Sequence, residues 1–192
     1  MKMIVSGWSR GSRLAPARAL PGGGSDLAVQ ALMPPTQVTA GGTALVRLGT
    51  GLRTGTDFGV HVYAIGLYRR RRTASAEQIL AQPFPSRLVL HFLRDVPVSQ
   101  LRDAWRDGVV NNIADPAGVG AELARWAATL TDLQQGQSQV VDLEDGGASL
   151  LTDGKIQIQV KSEAFARAIL AVWLGPHPPT AQIKSAMLGM HS

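Results

Sequence analysis

Cysteine is absent from the 192 residues, so neither a disulfide framework nor a thiolate metal site is available to the chain. Histidine is sparse. Its copies at His61, His91, His177 and His191 show neither i, i+4 nor H-x-H spacing, and no carboxylate pair accompanies them. No metal is expected, and each imidazole reads as an ordinary hydrogen-bonded or surface group. Charged residues make up only 17% of the chain against 45% hydrophobic ones, which excludes the disordered class. No apolar run approaches the roughly 18 residues that span a bilayer, so a soluble protein without a transmembrane segment is expected. The glycine clusters at Gly22–Gly24, Gly49–Gly55 and Gly146-Gly147 lack the spacing that cradles a phosphate, and no G-x-S-x-G elbow occurs. No cofactor is implied.

What is present is basic. The formal charge is +5 and the pI near 10.2, yet Lys2, Arg10, Arg13 and Arg18 precede the first acid, Asp26. From Ala31 onward 15 basic residues face 13 acidic ones, a balance of +2, which argues against a nucleic-acid module. Residues 1–31 are rich in Gly, Ser, Pro, Ala and Arg without periodicity and read as a flexible leader; residues 32–192 read as one domain. The leader has no apolar h-region, so no export signal is read. As written the chain would be cytoplasmic, or periplasmic if a displaced start codon has replaced a signal.

Periodicity predicts an α+β fold. Strands near Gln37–Thr39 and Thr43–Leu48 turn at Ala40-Gly41-Gly42. A Gly/Thr loop presenting Arg53 leads into a long strand from about Phe58 to Tyr68, apolar on both faces. A short helix capped by Thr73 or Ser75 runs through Ala81, and a second two-faced strand covers Leu88–Leu93. Helices follow from an N-cap at Ser99 through Asn112 and over Val119–Leu133. Strands at Gln139–Leu143, Ala148–Leu151 and Lys155–Val160 come next, then helices capped by Ser162 and Thr180. Short hairpins imply an antiparallel sheet of six or seven strands with helices on one face.

Two arginine features invite chemistry. Arg69–Arg72 cannot share one face of a strand, because successive side chains alternate, and they read as a solvated strand end. Arg53 stands among small residues, Gly51, Thr54 and Gly55, that allow a guanidinium over a cavity, where it suits a carboxylate or enolate. A surface-loop arginine fits the same pattern.

Three blocks go further: GLRTGTDFGVHVYAIGLY, RLVLHFLRDVPVSQLRDAWRDG and FARAILAVWLG. In this order they resemble the chalcone isomerase-like superfamily, in particular its bacterial branch, over about Met33 to Gly189. The resemblance implies an open-faced β-sandwich, a large antiparallel sheet with a helical layer and a ligand cleft between them. Plant enzymes of that family close a chalcone to a flavanone with an arginine's help, and plastid relatives bind fatty acids, the same arginine taking the carboxylate. Arg53 matches that arginine. Tyr63 stands where the family's strand has a threonine, and Val172 where its last helix has a hydroxyl residue. Leu101 or Ala104 falls at the family's tyrosine, and its asparagine meets Asn111 or Asn112 only after a register shift.

With one member of the polar network kept, the resemblance implies no chalcone cyclisation. It implies a binder of a hydrophobic carboxylate such as a fatty acid, held by Arg53 and Tyr63, with Phe92, Trp105, Val172 and Trp173 lining the cleft. One alternative is an isomerase or lyase in which Arg53 is the electrophile and Tyr63 a general acid. Another is an interaction protein whose leader or arginine run meets a partner.

Overall fold

Gly41 and Gly42 both take positive φ, 50° and 79°, and so turn the chain between β1 (Gln37–Ala40) and β2 (Thr43–Thr54). The computed structural model describes residues 31–33, 35–55, 60–73 and 75–190. All but the end of the expected leader, the Phe58 start of the long strand and His191 fall outside them.

β2 is longer than its composition implies. The stretch from Gly49 to Thr54, expected to be a loop, is strand: Gly49 through Arg53 pair with Leu67 through Tyr63 of β3 (His61–Arg69). Its glycines serve close approach instead of a turn. A Cβ at Gly49 would lie 2.0 Å from the Ala186 carbonyl oxygen, and one at Gly51 2.6 Å from Ile183 Cγ1. The last helix therefore rests directly on this strand.

β4 (Ser86–Phe92), β5 (Ser138–Glu144), β6 (Gly147–Thr152) and β7 (Lys155–Val160) complete a seven-stranded sheet in chain order, every neighbouring pair antiparallel. The helices are α1 (Ala76–Ala81), α2 (Val98–Val110), α3 (Gly120–Ala128), α4 (Glu163–Leu174) and α5 (Ala181–Met187). Ser75, Ser162 and Thr180 cap α1, α4 and α5 through their hydroxyls. Ser99 does not cap α2. That helix begins after Pro97, and its first amide, Val98 N, donates to Asp132 Oδ1 at 2.8 Å, a cap supplied from outside the helix. Nor does α3 reach Leu133; Leu133 is drawn into a two-hydrogen-bond bridge with Val96, and a 3-10 turn at Ala117–Val119 precedes the helix.

The main core lies between one face of the sheet, with Leu67, Leu88, Val141 and Leu150, and a helical layer led by Trp126, Phe165 and Ile169. Smaller clusters bury the opposite face of β3 and β4: Tyr68 with Leu45 and Val89, and Ala64 with Met33. The two-sided burial read from the sequence thus holds for both central strands. Arg69 is not solvated as expected. It is half-buried, and its guanidinium donates to the carbonyls of Ile79 and Gln82 at 3.3 and 2.7 Å, closing the C-terminal end of α1. Arg70–Arg72 are exposed.

Candidate functional site

Because Arg53 pairs with Tyr63 and Tyr63 with Phe92, these side chains form one row across β2, β3 and β4. The row faces a cleft of about 510 Å³ whose far wall is α2, the end of α4 and the segment after it, including Leu101, Ala104, Val172 and His177. Beyond Tyr63 and Phe92 the cleft adjoins an inner chamber of about 60 Å³, bounded by Leu90, Trp105, Gln139 and Trp173. All six side chains expected at the site therefore line one or both of two adjoining spaces. Arg53 stands in the wider one, Trp105 and Trp173 in the inner one, and Tyr63, Phe92 and Val172 line both.

Tyr63 is the hinge of this arrangement. Its Oη accepts a hydrogen bond from Trp173 Nε1 at 3.0 Å, and its ring leans on Phe92 at 5.8 Å between centroids. Burial raises the phenol's pKa from the ordinary 10.0, opposed by the Trp173 hydrogen bond and by the Arg53 charge. The group is a neutral phenol whose O–H remains available to donate. Trp173 in turn meets Trp105 edge to face at 5.4 Å, and Trp105 meets Trp126 at 5.6 Å, so the inner wall is a chain of interlocked aromatics.

Arg53 is half-buried, with Nη1 donating to the Thr54 carbonyl at 2.5 Å. Its other N–H groups meet no protein acceptor among the described residues, which leaves most of the guanidinium fork for an anion. Arg94, Asp107, Asn111 and His177 share the wider part of the cleft. Of the asparagines open to comparison with the family's, Asn111 lines the cleft, while Asn112 is buried and structural. Asn112 donates to the Gly108 and His177 carbonyls and accepts from His177 N, at 2.7 to 2.9 Å. Leu101 and Ala104, the alternatives for the family's tyrosine, both line the cleft and offer it no hydroxyl.

Arg94 and Gln139 join the site without a motif to mark them. Arg94 lies two residues beyond the end of β4 at Phe92, in a bend that strand alternation does not govern. Gln139 shares a face with Val141 and Leu143 and is the one polar residue in that set. The site can hold an amphiphilic anion: a cation in the wide part, apolar walls, a neutral phenol midway and an amide at the inner end.

A curled antiparallel sheet that keeps a cleft open against a helical layer defines an open-faced β-sandwich. The chain belongs to the chalcone isomerase-like family, whose model matches residues 27–189. One solved structure of similar fold is a fatty-acid binding protein of Arabidopsis thaliana, with a TM-score of 0.58 and 18% identity over 80% of this chain and 96% of that one. No curated protein matches in sequence. No helix among the described residues is long and apolar enough to cross a membrane.

Proposed function

We propose that this protein binds a hydrophobic carboxylate, a fatty acid, with the head group on Arg53 and the chain along Tyr63, Phe92 and Val172 toward Trp105 and Trp173. The observation that carries the reading is the Arg53 guanidinium, with only its bond to the Thr54 carbonyl among the described residues, in a cleft of about 510 Å³ that adjoins an aromatic-walled chamber, a volume within the range of small-molecule sites. A fatty-acid binding protein with this fold supports the choice of ligand. The protein is not a chalcone cyclase: Val172, Leu101 and Ala104 supply no hydrogen bonds at the positions that border the cleft, and conjugate addition needs a network that steadies a developing enolate. We place the chain in the bacterial branch of the family on the residue blocks quoted above.

The test is mass spectrometry of lipid released from purified protein. A fatty acid is expected from the wild type, reduced at least about tenfold in Arg53→Ala, the scale of losing a charge-assisted hydrogen bond. Equal recovery from both proteins would remove Arg53 from the site.

One observation favours a second reading, an isomerase or lyase. Tyr63 keeps a free O–H beside the Arg53 charge, the pairing of proton donor and electrophile that an enone requires. Turnover of naringenin chalcone and simpler enones above that of Tyr63→Phe and Arg53→Ala controls would establish it; no difference from the controls is the outcome expected.

A further inference from the structure

The inner chamber is lined by a polar group that nothing among the described residues satisfies. Gln139 is 2% exposed, and its Oε1 is buried without a hydrogen-bonding partner. The chamber's other walls are Leu90, Phe92, Trp105 and Trp173, with the Tyr63 hydroxyl at its entrance. A buried amide oxygen left unpaired is costly, and Leu or Met would fill this place in the β5 face without that cost. The register puts Gln139 opposite Leu90 on one side and Thr152 on the other, so its side chain is on the cleft face of the sheet and not at an edge open to water.

We propose that Gln139 reads a hydroxyl at the far end of the ligand, so that the preferred ligand is a medium-chain hydroxy acid and not a plain alkyl acid. This inference rests on the carboxylate-binding reading above and names the ligand class more narrowly. A hydroxyl donates to the amide oxygen and accepts from the amide nitrogen, and therefore pairs with Gln139 in either orientation of the amide. Length follows from the sheet. Arg53 on β2 and Gln139 on β5 are separated by three strand steps and by two residues along the strand, about 15 Å between Cα atoms at ideal spacings. Both side chains stand on the cleft face of the sheet, so the span between their ends is of the same order, the length of a medium-chain acid. A terminal methyl in the same place would strip the amide of any partner, and a site built around a hydrogen-bonding group rejects analogues that lack it.

The experiment compares decanoate with ω-hydroxydecanoate on delipidated full-length protein, by calorimetry and by the fluorescence of Trp105 and Trp173 in the chamber wall. Wild type is expected to bind the hydroxy acid about tenfold more tightly. In Gln139→Met, which keeps length and removes the amide, the preference is expected to shrink to within about twofold or invert. The melting temperature of the variant should equal or exceed that of the wild type, because an unpaired buried acceptor has been removed. Equal affinities in wild type overturn the proposal while leaving the carboxylate site intact, as when a water molecule is Gln139's standing partner. A preference that survives in Gln139→Met also overturns it, by placing the hydroxyl elsewhere. Binding of neither acid overturns both the proposal and the reading on which it rests.

Discussion

Tyr63 and His91 show how one side chain's surroundings set its chemistry. On the cleft face, burial keeps the Tyr63 phenol protonated, and the Trp173 hydrogen bond leaves its own proton free. On the opposite face, His91 Nδ1 lies 2.9 Å from Ser138 Oγ, and burial lowers the imidazole's pKa from the ordinary 6.5 against the opposing charge of Asp153. The folded protein thus disfavours the imidazolium. Between the lowered folded value and 6.5, the unfolded chain binds the extra proton, so this contribution to stability is present above the window and lost as pH falls through it. Urea midpoints measured at neutral pH and at about pH 5 should therefore differ less in His91→Gln than in the wild type. An unchanged difference would assign the acid sensitivity to another group.

Elements were legible where local rules govern them. The hydroxyl caps at Ser75, Ser162 and Thr180 were readable because each bonds an amide within its own first turn. The start of α2 was not, because Asp132, distant in sequence, supplies its cap, and Ser99 is only a local imitation of one. Gly49 and Gly51 misled for a related reason: glycine marks turns and close contacts alike, and only α5 lying on β2 tells which is meant. A contact of the same long-range kind makes an element-scale prediction. Asn112 ties the end of α2 to the chain after α4 through hydrogen bonds to Gly108 and His177, and His177, Pro178 and Pro179 wall the cleft. Asn112→Ala should lower stability by about 2 kcal/mol in urea denaturation and weaken fatty-acid retention as well. A stability loss with retention untouched would show that this wall does not contact the ligand.

Over the whole molecule, the antiparallel sheet in chain order, the helical layer and the two-sided central strands follow from the sequence, because hairpin turns, alternation and helical spacing are each encoded within a few residues. Arg53 and the apolar residues of the cleft were marked differently, by the family resemblance of the residue blocks, since periodicity alone fits a surface arginine and an ordinary core equally well. What only the tertiary structure decided is which of them meet. The row of Arg53, Tyr63 and Phe92 depends on register across β2, β3 and β4. The Tyr63–Trp173 hydrogen bond joins residues 110 positions apart, and the place of Gln139 in the lining of the inner chamber depends on how α2 and α4 stand off the sheet. Periodicity assigns a residue to a face; what that face encloses is set by the packing of layers far apart in the chain. The cleft's cation was therefore open to reading from the sequence, and the amide at its other end was not.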